Sequence, residues 1–574
     1  MSKTEYETMV VGAWPLVQEL LRELDVVNVM DEELKYQPEI AATYGELSQV
    51  LIINRMSFEP KPLYEMSKWA QESGVAQLLS LNASWLDDDR LGAMLEGLAD
   101  NQVDIWSQIV VNAVAKFGLE PEYLHEDTTS VYFEGSYENR AGMPKEEQNG
   151  PLLLEGYNKD GKRKKVQYVL SLVNSERVPL WYKVWNGNQS DDGVYQSDMR
   201  EMGKMGLNLD NVVLIGDRKL CNEATLLDFC RSGQQFLAPH PWRDHAKRVW
   251  PAVWAQLQAG ELAWRDVDYV SRNQAGKAAD QRTQYRVCEV PFPLVDKEKK
   301  TTYELRWLFS WSSDKAEADK RKREKAVQLT QQELERIQGL LGKYDYKSRK
   351  LIEQRIDNRL KKLGTARYIQ YTLYGTDARQ NWRLSWQLLE AALADKQQFD
   401  GIALFCTNVS PARLSAPEVL IKYKTQIHVE QSIDFIKSPI HIRPMWLHSP
   451  KRIAGLTLLI MIAVLMASLL EFQVRRHLAQ TGDLLDGLMP ENRDNPWPTA
   501  AKLLQAFHDY TLIMIRHPDG SDELYFPAFR PVQQQIWDIL QLAFAASITA
   551  SIIPTDLFHQ VKGPKHPSHK SQGP

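Results

Sequence analysis

The amino-acid sequence predicts an α/β protein whose central sheet contains strands of mixed direction. Three strand-like runs rich in Val, Tyr and Trp follow one another between residues 123 and 188, bounded by Gly, Asn and Asp. Helix-like and strand-like segments then alternate in NVVLIGD, CNEATLLDFCRSG and QFLAP. Strands in series, followed by alternation with helices, are typical of a mixed sheet.

Length and composition indicate a soluble protein of several domains. The chain has 574 residues, too many for one core, and its apolar and charged fractions of 43% and 25% are ordinary. Its four cysteines form no CxxC pair, so neither a zinc ribbon nor a disulfide framework is indicated. The N-terminal residues are acidic where a signal peptide is basic, so we expect a cytoplasmic protein.

The helical and strand-like patterns divide the chain into six expected segments. They are a helical N-terminal domain (1–118), the first part of an α/β core (119–240), a β-rich insertion with a charged helical hairpin (241–398), the second part of the core (399–475), a small helical C-terminal domain (476–553) and a disordered tail (554–574). We expect the hairpin to break near Gly339 or Gly342. Residues 453–470 carry no charge and have the length of a membrane span, but a buried core helix is the favoured interpretation.

Clusters of basic residues stand out against a net charge of −5. Residues 315–325 contain six basic and three acidic side chains, and residues 343–362 contain eight and three. Two smaller clusters occupy residues 162–165 and the tail after Lys562. One such cluster is usually a solvated face, but four in a slightly acidic chain favour a polyanion as partner.

A polar stripe is predicted near residue 430. On a single helix, Tyr423, Gln426, Glu430 and Lys437 would fall within about 60° of arc. An adjacent apolar stripe consists of Val429, Ile433 and Ile436. A carboxylate, a lysine and a tyrosine pointing the same way from an anchored helix would suit a metal ion beside a phosphodiester.

Two aspartates occupy positions where an active site could use them. Asp127 lies in the first strand-like run, and Asp217 follows a short buried strand, where open α/β sheets place ligand sites. A lone aspartate is more often a turn or cap residue. Together with Glu430, however, these carboxylates would be ionised at pH 7 and could hold a pair of Mg²⁺ ions.

Six segments of the chain carry a family resemblance. They are HEDTTSVYFEG, GYNKDGKRKKVQYVLSLV, PLWYKVWNGNQSD, VVLIGDRKL, FDGIALFCTN and YKTQIHVEQSIDFIKSPIHIRPMWLH. In this order they resemble the blocks of DDE transposases of bacterial insertion sequences, in the sixteen-thirty-four group of the insertion-sequence-four superfamily. The resemblance extends over roughly residues 20–550. It implies a ribonuclease-H-like catalytic fold, with the β-rich insertion between the second Asp and the Glu.

The resemblance also implies roles for particular residues. Asp127, Asp217 and Glu430 would form the catalytic triad and hold two Mg²⁺ ions, or Mn²⁺ in their place. Tyr423 and Lys437 would contact the phosphate near the cleaved end. Gln426, at a signature position, and Arg443, which follows the helix and is a candidate phosphate contact by its position alone, complete the expected DNA-binding residues. The family signature is Tyr-x2-Arg-x3-Glu-x6-Lys, so Gln426 replaces its arginine. Glutamine is neutral and cannot make the bidentate phosphate contact of a guanidinium group.

The activity implied by the resemblance is cut-and-paste transposition of an insertion sequence. The protein would bind terminal inverted repeats in double-stranded DNA, pair two ends in a homodimer and hydrolyse a phosphodiester to free a 3′ hydroxyl. That hydroxyl would attack the opposite strand through a hairpin and finally the target DNA. We expect the enzyme in the cytoplasm with the bacterial nucleoid and away from the membrane. The N-terminal helices and the basic hairpin are candidates for end recognition.

Alternatives remain open for the metal site and for the activity. Glu126 is a possible first ligand, and Asp434 is a rival to Glu430, although a solvated charge or a partner for Lys437 is its favoured role. A ribonuclease-H-like nuclease without strand transfer is the rival enzyme, and an inactive DNA-binding protein is the rival of another class.

Structural roles are the favoured interpretation for several tryptophans and histidines. Trp264, Trp307 and Trp311 are expected to be core or sheet residues, with the alternative that one of them stacks on a flipped base. The histidines that lack a compact metal spacing are His240, His245, His441 and His448.

Overall fold

The chain folds into two compact units. In the computed structural model, the first unit comprises Met1–Leu214 and Gln426–Pro574, and the second comprises Ile215–Thr425. The structure describes residues 5–34, 42–133, 151–156, 166–190, 193–242, 244–271, 274, 276–379, 381–437, 447, 449–489, 495–518, 522–540 and 551–553.

Helices and strands are numbered along the whole chain. The first part of the first unit contains β1 (Glu5–Val10), α1 (Trp14–Glu23), α2 (Val26–Leu34), α3 (Tyr44–Arg55), α4 (Met66–Glu72), α5 (Val75–Leu78), α6 (Asp88–Asp100), α7 (Gln102–Phe117), β2 (Tyr123–Tyr132), β3 (Leu154–Glu155), β4 (Val166–Ser175), β5 (Val178–Trp185), α8 (Val194–Met202) and β6 (Val213–Ile215), whose last residue belongs to the second unit.

The second unit contains α9 (Glu223–Ser232), β7 (Gln235–Pro239), α10 (Asp244–Ala259), β8 (Arg265–Val267), β9 (Tyr285–Asp296), β10 (Thr301–Ser312), α11 (Ser313–Leu340), α12 (Arg349–Leu363), β11 (Ile369–Tyr374), β12 (Arg383–Leu388), α13 (Glu390–Gln397), β13 (Ile402–Thr407) and α14 (Ala416–Lys424). The first unit then resumes with α15 (Ile427–Lys437), α16 (Pro450–Thr481), α17 (Ala500–Gln505), β14 (Thr511–Arg516), β15 (Asp522–Pro527), α18 (Pro531–Ile539) and β16 (Ser551–Ile553).

Strand β4 is the centre of the sheet that carries Asp127 in the first unit. It pairs antiparallel with β2 on one side, and with β5 and the short β3 on the other. Strands β4 and β5 are joined by a two-residue turn, in which Glu176 and Arg177 have φ values of 46° and 79°. Two positive φ angles give the turn that matches strand twist in a hairpin. The predicted strands in series are thereby confirmed.

Helix α16 is the central helix of the first unit. It packs against α3, α6, α7 and β5. The backbone of α6 approaches it so closely that a Cβ atom at Gly455 would lie 2.0 Å from the Leu95 carbonyl oxygen. Its length and apolar composition would allow it to cross a membrane, but 94% of its apolar window is buried inside the protein. The expectation of a buried core helix is confirmed.

Within the second unit, five strands pair antiparallel in the order β7–β13–β10–β9–β8. Between β10 and β13 the chain forms the predicted charged hairpin of α11 and α12, packed on the two-stranded β11–β12. Helix α11 ends at Leu340, and Gly342 follows with a φ of 77°, close to the predicted break. The buried residues shared by these four elements include Leu334, Ile337, Ile352, Ile356, Leu360, Ile369, Leu373 and Leu384.

The expectations of an all-α N-terminal region and a helical C-terminal region were wrong. Strand β1 pairs antiparallel with β14, which pairs antiparallel with β15, and β15 pairs in parallel with β16. The two ends of the chain therefore build one small sheet. Strand β1 has only one buried side chain, Met9, so its local pattern carries little strand signal. Its hydrogen-bonding partner lies some 500 residues away in the sequence.

The close approach of α16 to α6 predicts that Gly455→Ala destabilises the protein. A methyl group would meet the Leu95 carbonyl oxygen and force the two helices apart, at a cost of about 1–3 kcal/mol or more. Thermal unfolding should show a lower melting temperature. The matched control is Gly339→Ala in α11, where a new Cβ meets no atom within 4 Å and the melting temperature should stay equal or rise slightly. Equal effects of the two changes would contradict the packing argument.

Candidate active site

Strand β2 presents Glu126 and Asp127 on opposite faces of the sheet, because successive side chains of a strand alternate. Glu126 is fully buried. Asp127 is half-buried, and its Oδ1 accepts a hydrogen bond of 2.7 Å from the Thr128 amide. Of these two neighbours, only Asp127 has a carboxylate that solvent reaches, which favours it over Glu126 as a ligand for an external group.

The single helix predicted around residue 430 is interrupted. Helix α14 ends at Lys424 and α15 begins at Ile427, so Tyr423 and Glu430 lie on different helices and the one-stripe prediction was wrong. At the break, the Thr425 hydroxyl donates a 2.5 Å hydrogen bond to the Lys422 carbonyl, in competition with the backbone. The boundary between the two units falls at the same place.

Glu430 lies exposed on α15 with two carboxylates nearby. Its pKa is raised above the usual value, first by partial desolvation and then by the negative charges of Asp127 and Asp434. All the charges that shift Glu430 are therefore of one sign. Hard divalent cations prefer oxygen ligands of this kind and would relieve the repulsion. The carboxylate oxygens of Asp127 and Glu430 are therefore donors of the kind that a divalent cation binds.

A compact ligand group is absent from the structure as described. Within the described ranges, no three His, Cys, Asp or Glu side chains lie close enough together to hold a metal ion. Asp127 and Glu430 are the two members of the proposed triad that the first unit contains.

Two further predicted residues belong to the second unit. Asp217 lies two residues after the end of β6, and its Oδ1 accepts a 2.8 Å hydrogen bond from the Lys219 amide, which shapes the turn into the next segment. Tyr423, at the end of α14, packs its ring on Phe405, with the ring centres 4.7 Å apart. The side chain of Lys437 and all of Arg443 lie outside the described residues, as do His441 and His448.

Gln426 lies in the turn before α15 and points inward. Its side chain is 6% exposed, and its Nε2 donates a 3.0 Å hydrogen bond to the Glu126 carbonyl oxygen. The sequence marked this residue as a departure from the family signature, but it contained no signal of the inward orientation.

Asp198 on α8 is a buried carboxylate that sequence reasoning missed. It is fully buried, and desolvation raises its pKa to about 6, although Ser171, Trp181 and the charge of Lys183 act in the opposite direction. The Glu126 carboxyl group also acts to lower this pKa. Two buried acidic side chains thus lie behind the strand that carries Asp127. Only the helical position of Asp198, facing the same way as Tyr195 and Met202, could have indicated its burial.

The aromatic residues of the second unit differ in their surroundings. Trp307 is buried and stacks on Phe292, with ring centres 4.2 Å apart. His240 and His245 both pack against the Trp307 ring, at 5.1 and 5.2 Å. A cavity of about 470 Å³ is lined by, among others, Trp254, Trp264, Trp311, Arg286 and Lys320.

The charged hairpin of α11 and α12 exposes lysines on its surface. Several acidic residues of the hairpin are already engaged in local ion pairs: Glu317 with Arg321, Asp319 with Lys315, Glu333 with Arg336, Asp345 with Arg355, and Glu353 with Arg349. Lys350 and Lys361 on α12 are exposed and, in the part of the chain that the structure describes, form no ion pair. They lie 11 positions apart, within about 20° of the same helix face.

Two family models match the chain. Residues 6–111 match a domain of unknown function, DUF4277. Residues 127–466, more than half of the chain, match the model described as Transposase DDE domain. No curated protein matches the chain. The second match spans Asp127, Asp217 and Glu430, so all three carboxylates lie within one family domain.

Burial of Asp198 predicts a pH-dependent stability. Its raised pKa means that the folded state holds the proton more tightly, so this contribution to stability is present below about pH 4 and is lost as the pH rises through about 6. Relative to wild type, Asp198→Asn should gain up to about 3 kcal/mol over that range, at about 1.4 kcal/mol per pKa unit. Melting temperatures at several pH values test this, with Asp210→Asn at an exposed site as control. A difference between variant and wild type that does not change with pH would contradict it.

Proposed function

The chain belongs to the transposase DDE domain family, and from this premise we propose that it moves a bacterial insertion sequence by cut-and-paste transposition. The packing of α15, which carries Glu430, on β2, which carries Asp127, is the observation that supports this most directly, because it joins two parts of the chain about 300 residues apart. The proposed fold of the catalytic core is ribonuclease-H-like, of the insertion-sequence-four superfamily and its sixteen-thirty-four group.

Asp127, Asp217 and Glu430 are the proposed ligands of two Mg²⁺ ions, or of Mn²⁺. When bound, the ions supply electrostatic stabilisation of the attacking and leaving oxygens of a phosphodiester. The chain's own contribution is to hold ionised carboxylates at fixed positions. Asp127 does so from a paired strand and Glu430 from a helix that packs on that strand.

The proposed reaction begins with hydrolysis of a phosphodiester at a terminal inverted repeat, which frees a 3′ hydroxyl. This hydroxyl attacks the opposite strand to form a hairpin, and after hairpin opening it attacks the target DNA. Two ends would be paired by a homodimer in the DNA complex. The proposed location is the cytoplasm, in association with the nucleoid.

Strand transfer distinguishes the proposed activity from a nuclease. Purified protein, Mg²⁺, a pre-cleaved inverted-repeat end and a target plasmid should yield joined products. Cleavage of ends without any joining would support the nuclease, and binding without cleavage would support an inactive DNA-binding protein.

Either Trp264 or Trp311 is the proposed residue for stacking on a flipped base in this reaction. Both line the 470 Å³ cavity, and Arg286 lies over the Trp311 ring at 5.5 Å, where its positive charge could attract the DNA backbone. The buried Trp307 has its ring covered by Phe292 and is unsuited to that role.

The hairpin of α11 and α12 is the proposed surface for the DNA backbone. It has its own apolar core, so its surface lysines can be changed without disturbing either sheet. The N-terminal helices are the second candidate for end recognition, but α3 and α6 pack on α16 and their deletion would remove part of the core. Point substitutions on the hairpin are therefore the sharper test.

Neutral substitutions of the triad are expected to abolish cleavage while DNA binding persists. Asp127→Asn, Asp217→Asn and Glu430→Gln each keep the side-chain shape but remove the negative charge that a divalent cation requires. Cleavage of labelled inverted-repeat ends and fluorescence anisotropy measure the two properties. The matched control is Asp434→Asn, which changes a carboxylate on the same helix and should leave cleavage intact. Full activity of Glu430→Gln combined with an inactive Asp434→Asn would transfer the role to Asp434.

Replacement of Lys350 and Lys361, two of the exposed lysines of α12, should reduce the salt dependence of DNA binding. The double variant Lys350→Gln and Lys361→Gln is expected to weaken binding at every sequence and to lower the slope of log K against log salt by about 0.9 for each phosphate that is no longer neutralised. Titrations at several salt concentrations measure the slope. The control double variant, Lys315→Gln and Arg321→Gln, removes cations already paired with Asp319 and Glu317. An equal decrease of slope in both double variants would contradict a specific surface on α12.

A further inference from the structure

Gln426 joins the two elements that carry Asp127 and Glu430. Its Nε2 donates to the carbonyl oxygen of Glu126, the residue directly before Asp127 in β2. Gln426 itself stands four residues before Glu430, about one helical turn away. One hydrogen bond therefore connects the segments that carry both carboxylates, close to each of them.

A second buried hydrogen bond fixes the same helix beyond Glu430. Asn174 Nδ2 on β4 donates to Ser432 Oγ on α15 at 2.8 Å, and both side chains are buried. Because β4 is the antiparallel partner of β2, the two bonds attach α15 to one pair of strands. Glu430 lies between the two attachment points.

The inward orientation of Gln426 leaves little of its side chain for DNA. The side chain is 6% exposed, and its donor group is already engaged with the backbone of β2. A contact with a phosphate would require this hydrogen bond to break, leaving the Glu126 carbonyl without that donor. The hydrogen bond of Gln426 therefore contributes to holding β2 and α15 together rather than to binding DNA.

The attachment also opposes the repulsion between the carboxylates. Strand β2 carries Asp127 and helix α15, which packs on it, carries Glu430, so repulsion between these like charges favours separation of the two elements. The amide groups of Gln426 and Asn174 donate the two hydrogen bonds that hold the helix, and because they are neutral they leave these charges in place. The carboxylates remain close together and ionisable.

We propose that Gln426 is a positioning residue, which holds β2 against α15 and so sets the separation of Asp127 and Glu430 for a divalent cation. The inference rests on the proposed function as far as the cation is concerned. The hydrogen bond itself can be tested without any catalytic activity.

The test is Gln426→Met, which keeps the length of the side chain and removes the donor. Mn²⁺ affinity of the DNA-free protein, followed by electron paramagnetic resonance, should fall roughly 10–100-fold, as is typical when a partner behind a metal ligand is removed. Cleavage should require correspondingly more metal, whereas DNA affinity and its salt dependence should not change. Hydrogen exchange in peptides covering α15 and β2 should become faster.

Two further variants make the experiment decisive. Gln431→Met changes a neighbouring glutamine of the same helix whose Oε1 has no hydrogen-bond partner among the residues described here, and it should behave as wild type. Ser432→Ala removes the second attachment and should shift metal affinity in the same direction as Gln426→Met. If the melting temperature of Gln426→Met shows that this variant does not fold, Ser432→Ala still tests whether the attachment of α15 affects metal affinity.

The outcomes separate the positioning role from the proposed function. Weaker DNA binding by Gln426→Met with unchanged metal affinity would overturn the positioning role and make Gln426 a DNA contact. Unchanged metal affinity and unchanged hydrogen exchange would also overturn it. Wild-type protein that binds no Mn²⁺ would instead contradict the proposed metal chemistry, and faster exchange in Gln426→Met would still support the attachment.

Discussion

The packing of helix α16 inside the first unit is the interaction on which the rest of that unit depends. Its apolar run is too long and too hydrophobic to remain in water, and the protein covers it with helices from the N-terminal region and with strand β5. At Gly455 the backbone of α6 comes so close that no side chain fits between them. The N-terminal helices are consequently part of the core that supports the candidate active site.

The same helix also supports the strands of the site. Tyr168 on β4 and Thr457 on α16 share a buried hydrogen bond of 3.0 Å, and α15 packs on both α16 and β4. Strand β4 in turn pairs with β2, which carries Asp127. The positions of Asp127 and Glu430 thus follow from one buried helix through a short series of contacts between neighbouring elements.

Local sequence patterns were sufficient to predict those helices and strands whose own residues carry a clear helical or strand pattern. Strands β2, β4 and β5 were predicted from their β-branched and aromatic residues, and the hairpin of α11 and α12 from its charge and helical periodicity. Elements defined by distant partners were not predictable in this way. Strand β1 forms only by pairing with β14, which lies far away in the sequence. The residue spacing over 423–437 fits one continuous helix, but the structure has two helices there, so the break depends on tertiary contacts.

For the candidate site, the sequence was informative about chemistry and uninformative about orientation. It distinguished Asp127 and Glu430 as carboxylates at suitable positions, but a spacing rule cannot tell an exposed side chain from a buried one. Glu126 and Asp198 are buried behind β2, and Gln426 points inward. The strands and helices packed around these three side chains determine the direction in which each one points. These orientations arise from packing between segments that are far apart in the chain.

The presence of glutamine in place of the signature arginine has an electrostatic consequence for the site. An arginine four residues before Glu430 would bring a permanent positive charge to the carboxylates and would lower their pKa values. With Gln426 there, every charge that shifts Glu430 among the described residues is negative. Gln426 contributes no charge that would offset this repulsion. The positions of the carboxylates therefore depend on hydrogen bonds between neutral groups, such as that from Gln426 to the Glu126 carbonyl oxygen.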